Sequence, residues 1–172
     1  MREIVILGVL LINLAIQTSL FPFIEIMGVK PDSLLALTVS FALLGGNPTG
    51  AVVGFLGGLF QDILSGHNVG LSALQYMVVG YIAGTMYDRV YGDNYFVPLF
   101  STAVAGILKQ LIIVAYNFFA RTDIPLKWAL YRIILPEVVY TLILTPLIFF
   151  LIDRLYRNKF MKRKWYSDGY HP

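Results

Sequence analysis

The chain has 172 residues, of which 58% are hydrophobic and 13% are charged, and its mean hydropathy is +0.72. These values lie outside the range of ordinary soluble domains and indicate an integral membrane protein, and the net charge of +3 is no evidence for nucleic-acid binding. The absence of cysteine excludes a disulfide framework, a thiolate metal site and a cysteine nucleophile.

Apolar stretches follow one another along the chain, and crossing a bilayer takes about 20 residues of helix. We predict an all-α integral membrane protein in which six transmembrane helices form one bundle, with spans at about 4–24, 32–46, 50–64, 69–87, 95–119 and 132–152. The second and third spans are short and are joined by the turn-rich sequence GGNPTG at 45–50. In the alternative, 32–64 is a single broken or re-entrant element, which leaves five crossings and puts the termini on opposite sides.

The distribution of lysine and arginine predicts the orientation. With six spans and a cytoplasmic N-terminus, the outside carries four basic residues: Lys30, Arg121, Lys127 and Arg132. The inside carries eight, in the N-terminus, in the loop after the fourth span and in the C-terminal tail: Arg2, Arg89, Arg154, Arg157, Lys159, Lys162, Arg163 and Lys164. We therefore expect a multi-pass membrane protein with both termini in the cytoplasm.

Three ionisable residues fall within the predicted spans: Asp62, Lys109 and Glu137. Such residues are costly at membrane depth, so each is a candidate for function. The structural alternative is that the two carboxylates reach interfacial water, while Lys109 extends to the interface or pairs with a carboxylate and holds helices in register.

Small residues recur in the third and fourth spans at the spacing that lets helix backbones touch. In the third span they form a stripe that Asp62 continues, so Asp62 is expected to face protein and to pair with backbone donors at the following turn or with Arg132. The candidates for helix packing or partner binding are Gly50, Gly54, Gly58, Asp62, Gly70, Gly80 and Gly84.

Asp62 and His67 do not make a convincing metal or catalytic pair. A zinc site normally needs three or four ligands, and the other histidine, His171, lies in the opposite tail. None of Ser65, Ser72 and Thr85 stands in a recognisable catalytic arrangement, and 65–68 fits a tight surface turn. We therefore predict no catalytic, metal or cofactor site and no enzymatic activity.

The tail at 154–172 combines basic and aromatic side chains and is too short to bury a core of its own. We expect it to lie against anionic lipid headgroups through Arg154, Arg157, Lys159, Lys162, Arg163 and Lys164.

The region 54–84 carries the most distinctive pattern of the chain. A glycine-rich helix ends in LFQDIL at 59–64, a Ser65-Gly66 turn follows, and VGLSAL at 69–74 leads into VGYIAG at 79–84. This pattern resembles the central motif of the MreD family of rod shape-determining proteins. The chain length, the Pro31-Asp32 start of the second span and the short basic tail are similar as well.

The resemblance implies a non-enzymatic subunit of the bacterial elongation machinery, located in the bacterial plasma membrane. Such a protein binds MreC and helps to connect MreB filaments to peptidoglycan synthases. The family fold looks similar to that of the S-components of energy-coupling-factor transporters, which leaves a vitamin-binding transport subunit as the alternative. Since a fold does not determine a function, the short outer loops and scattered polar residues are what favour the first interpretation.

Overall fold

A computed structural model of the protein describes residues 2–19, 23, 29–66, 70–87, 96–119 and 135–157. Six α-helices account for most of these residues, as the sequence predicted. They are α1 (Arg2–Ser19), α2 (Ser33–Gly45), α3 (Asn47–Ser65), α4 (Leu71–Gly84), α5 (Phe96–Phe119) and α6 (Leu135–Tyr156).

The short helix α2 is the centre of the bundle. It packs against each of the other five helices, and residues 33–43 are all buried. Its sequence SLLALTVSFALLG is apolar on every face, which is the pattern of a helix surrounded by protein. Its 13 residues span only about 20 Å, less than the roughly 30 Å of a hydrocarbon core. Burial among longer helices explains how so short a helix is accommodated.

The connection between α2 and α3 is shorter than predicted. The expected linker at 45–50 is reduced to Gly46, because Asn47–Gly50 already form the first turn of α3. Two features explain the difference: Pro48 lies in the first turn, where proline is favoured, and Gly46 adopts a φ of 81°. The chain thus reverses over one residue, and α3 has 19 residues instead of about 15.

Three of the described helices are long and apolar enough to cross a membrane, namely α1, α5 over Phe96–Asn117, and α6. Helices α2 and α4 are apolar but shorter. The polar residues Gln61 and Asp62 and the glycines lower the hydropathy of α3. The structure thus shows a helical membrane protein, while the six crossings stay a prediction.

The last helix continues beyond the predicted end of its span. Helix α6 runs to Tyr156, so Arg154 belongs to its final turn and only Arg157 follows among the described residues. The division between a bundle at 1–153 and a basic tail at 154–172 stays a prediction. The remaining basic positions of the tail, at 159 and 162–164, lie outside the described residues.

Candidate functional site

An ion cluster lies inside the bundle, centred on Lys109 of α5. The Lys109 ammonium group pairs with the Asp32 carboxylate and, at 2.6 Å from Oε1, with Glu137. Lys109 is only 8% exposed and Asp32 only 4%. Of the three ionisable residues expected within the spans, two are thus joined here to a carboxylate from the start of α2.

Neutral donors offset the excess negative charge, since two carboxylates face one ammonium group. The Tyr76 hydroxyl donates to Asp32 Oδ2 over 2.7 Å, and Gln110 Nε2 donates to Glu137 Oε2 over 2.7 Å. The backbone N–H of Leu35 donates to Asp32 Oδ1 over 2.9 Å. Lys109 Nζ also lies 5.4 Å from the centroid of the Tyr76 ring, within the range of a cation–π contact. The carboxylates therefore have several partners each.

Local structure explains why Asp32 is available to the cluster. Asp32 is the N-cap residue of α2: one carboxylate oxygen accepts the Leu35 N–H, as capping aspartates do, and the other is free to face α4 and α5. Its own N–H donates to Thr141 Oγ1 over 3.0 Å, and the Thr141 hydroxyl donates to the Glu137 carbonyl oxygen over 2.7 Å. The start of α2 is thereby tied to α4, α5 and α6.

Asp62 belongs to a second polar arrangement, away from the cluster. Its Oδ2 accepts backbone N–H groups of Gly70, Ser72 and Ala73 at 2.8, 3.1 and 3.3 Å. These are backbone donors at the turn, of the kind expected from the sequence. The N-cap of α4 is Gly70, which has no side chain, so Asp62 caps this helix from the neighbouring one.

The glycine stripe of α3 faces α4 of the same chain. A Cβ added at Gly54 would collide with the carbonyl oxygen of Tyr76, and one at Gly58 would lie 2.6 Å from the carbonyl oxygen of Ser72. Gly50 and Gly80 likewise oppose each other's backbone, and Gly84 opposes the start of α3. The small residues of both helices thus serve one contact within the chain. A partner that binds α3 has to use another face.

The other candidate positions are placed as follows. Arg154 is exposed on the last turn of α6, and Arg157 Nε pairs with Asp153 Oδ2 at 2.8 Å. His67 lies outside the described residues, as do Lys159, Lys162, Arg163 and Lys164. The pairing of His67 with Asp62 is therefore not described by the structure. Among the residues that it does describe, no group of three His, Cys, Asp or Glu side chains could hold a metal ion.

Three members of the ion cluster were not predicted from the sequence: Asp32, Tyr76 and Gln110. Asp32 was noted only as the start of a span, and a capping role fully accounts for an aspartate before an apolar helix. A usable signal was the lone Lys109, because a cation at membrane depth needs a carboxylate and the chain has few to offer. Choosing among Asp32, Asp62 and Glu137 requires the packing of the helices.

Buried polar side chains bond to one another, the exterior is apolar, and three of the described helices are long enough to span a membrane. These features define a helical membrane protein. The family model described as rod shape-determining protein MreD matches residues 1–159. The chain therefore belongs to the MreD family, and the resemblance found in the sequence is confirmed. The family is one of shape-determining proteins and is not known as an enzyme family. Comparison with curated proteins and with solved structures found no match.

Proposed function

We propose that the protein is a non-enzymatic membrane subunit of the bacterial cell-elongation machinery, which binds MreC and helps to couple MreB filaments to peptidoglycan synthesis. The observation that carries this proposal is the match of the MreD family model to residues 1–159. The rod-shape role comes from the family, and the binding of MreC is the specific part that requires a test.

The interior of the bundle supports a scaffold rather than a carrier of small molecules. A pocket for a polar ligand needs polar groups that face an open space. Here Lys109, Asp32 and Glu137 are bonded to one another or to Tyr76 and Gln110. Their bonding capacity is directed into the protein, where it fixes the relative positions of four helices.

The exterior offers apolar faces to a partner that is anchored in the membrane. Leu11 of α1, Leu111 of α5 and Ile143 of α6 are all exposed. The α3–α4 glycine contact is internal, so we propose that MreC binds one of the other exposed helix faces.

The positions of the helix ends support termini on one side of the membrane. Arg2 donates to Thr49 Oγ1 over 2.6 Å, which places the start of α1 beside the start of α3. The Tyr156 ring at the end of α6 lies 5.9 Å from that of Phe41, near the end of α2. Because Arg2, Arg154 and Arg157 lie at this end, we propose that it faces the cytoplasm.

Site-specific photocrosslinking in cells tests the proposal and identifies the face. A photoreactive amino acid at Leu11, Leu111 or Ile143 should capture MreC from at least one position. Leu10, which is buried beside Leu11, is the matched control and should capture nothing outside the chain. Absence of MreC from every exposed position and from gently solubilised affinity preparations would contradict the proposal. Recovery of an ATPase pair with a T-component would instead support a transport subunit.

A further inference from the structure

A groove runs along the surface of the bundle between α1 and α6. Helix α1 packs against α2 and α3, whereas α6 packs against α2 and α5, so the two outer helices stand apart over α2. The groove has a volume of about 640 Å³. Val9, Ile12 and Ile16 form one wall, and Leu144, Leu147 and Leu151 belong to the other.

We propose that this groove binds one acyl chain of an anionic glycerophospholipid whose phosphate contacts Arg154. The lipid belongs to the leaflet at the end of the bundle where α1 begins and α6 ends. This inference goes beyond the proposed scaffold function, because it does not depend on the identity of any protein partner.

The lining indicates a hydrocarbon occupant. Ten of the thirteen lining residues are valine, leucine or isoleucine. Two of the polar ones, Asn13 and Ser33, bond to each other, with the Ser33 hydroxyl donating to Asn13 Oδ1 over 3.3 Å. Such a groove does not attract water, which requires several polar partners. Ile12 and Leu147 are exposed, so an acyl chain can enter from the side.

The length of the groove fits one leaflet. Along α6 the lining extends from Leu144 to Leu155, which corresponds to about 16 Å at 1.5 Å per residue. Half of a hydrocarbon core is about 15 Å thick. A groove of this length that ends at the last turn of α6 covers the depth of the acyl chains in the leaflet nearest that end.

Charge complementarity identifies the headgroup. Arg154 is the single charged residue of the lining and stands at the end of the groove, on the last turn of α6. It has no carboxylate partner among the described residues, whereas the neighbouring Asp153 pairs with Arg157. A guanidinium group binds phosphate well, because its donors match the phosphate oxygens in pairs. The phosphate of a lipid in the groove would lie at this level.

A helix from another chain fits the groove less well. Interfaces between membrane helices are rich in small residues, which allow the backbones to approach. The small residues of α3 and α4 are already used inside the bundle, and the groove walls consist of branched side chains. Flexible acyl chains fill such irregular apolar surfaces without that requirement.

Native mass spectrometry of the purified, delipidated full-length protein tests the proposal. The probes are palmitoyl-oleoyl phosphatidylglycerol and the phosphatidylcholine with the same acyl chains. Wild type should form a one-to-one adduct with a preference for phosphatidylglycerol of about fivefold, the effect of one basic residue near a membrane surface. Arg154→Gln should remove most of this preference, and Arg154→Lys should retain part of it, because lysine keeps the charge but not the paired donors. An equal preference in wild type and Arg154→Gln would overturn the assignment of the headgroup contact.

A matched pair of bulky substitutions tests the groove itself. Leu147→Trp fills the groove and should weaken both adducts at least fivefold. Leu111→Trp is the control, because Leu111 lies outside the lining and is similarly exposed, at 58% against 62% for Leu147. Equal binding by the two variants would overturn the proposal. A dimer that is present in wild type and lost in Leu147→Trp, with unchanged lipid adducts, would also overturn the proposal, in favour of a second copy of the chain.

A labelling experiment on the wild-type protein avoids any dependence on the folding of variants. Phosphatidylglycerol with a diazirine on one acyl chain is incorporated into nanodiscs with the protein and activated by light. Labelled peptides should come from α1 and α6 around Ile12 and Leu147. Labelling confined to the exposed face of α5, or spread evenly over all exposed helices, would contradict a bound lipid at the groove.

Discussion

Replacement of Lys109 by methionine removes the central charge of the ion cluster. Methionine keeps much of the length of the side chain, but Asp32 and Glu137 lose their common counter-ion in a buried position. Lys109 Nζ lies 2.6 Å from Glu137 Oε1. The Coulomb attraction between two unit charges at this distance is about 6 kcal/mol when the effective dielectric constant is about 20. Burial of each ion costs several kcal/mol, so the intact pair contributes little net stability.

The cost of losing one partner is larger than that small net contribution, because it leaves buried charge uncompensated. Removal of one member of a buried ion pair typically costs about 3–5 kcal/mol. We therefore expect Lys109→Met to lower the free energy of unfolding by about 3–5 kcal/mol. A triple variant with Asp32→Asn, Lys109→Met and Glu137→Gln removes all three charges of the cluster. It should recover part of the lost stability, because no uncompensated charge remains.

The assay is reversible unfolding of the purified protein in mixed detergent micelles, followed by circular dichroism. Leu111→Met is the matched control, since Leu111 is exposed on the same helix and its replacement should change stability by less than about 0.5 kcal/mol. If Lys109→Met were as stable as this control, or the triple variant no more stable than the single one, the ion cluster would not hold the bundle together.

Three further predictions concern the helix pair and the topology. Gly54→Leu should destabilise the bundle by about 3 kcal/mol or more, because the new side chain meets backbone of α4, whereas Val52→Leu on the exposed face should have little effect on thermal stability. Asp62→Asn should cost about 1 kcal/mol and Asp62→Leu about 2–3 kcal/mol in the same unfolding assay, because leucine cannot accept from the N–H groups of Gly70, Ser72 and Ala73. Equal losses would contradict the capping role. In intact cells, Asn68→Cys should react with an impermeant thiol reagent and Asp168→Cys should not, and the reverse result would refute the proposed orientation.

The sequence predicts the helices well, because the physics that defines them is local. Long apolar runs such as those of α5 and α6 are readily recognised, since a membrane-spanning segment has to satisfy its backbone hydrogen bonds internally. The glycine stripe predicts a close helix contact for the same reason: the spacing of small residues on one helix is sufficient evidence. The spacing does not identify the partner helix, and Gly80 is the neighbour of Gly50 because α4 packs against α3.

The ion cluster could not be predicted in full, because its members come together only in the folded bundle. Asp32 and Lys109 are 77 residues apart, and the intervening helices determine whether their side chains meet. Tyr76 is a common type of residue in a membrane helix, and its contact with Asp32 leaves no periodic pattern. The local sequence was misleading as well. Capping of α2 by Asp32 accounts for only one of its carboxylate oxygens, and nothing in the local sequence indicates that the other oxygen binds Lys109.

The separation between a bonded interior and an apolar exterior has a consequence for genetic experiments on this protein. Substitutions at Lys109 or Gly54 should act first on folding, so that the amount of protein in the membrane falls and recovery of the proposed partner MreC falls in proportion. Substitutions on exposed faces, such as Leu11 or Ile143, leave packing intact and can change MreC recovery at constant abundance. The ratio of recovered MreC to membrane-inserted protein therefore distinguishes a binding surface from a structural residue, and a fall in this ratio for Lys109→Met would place the ion cluster in partner recognition.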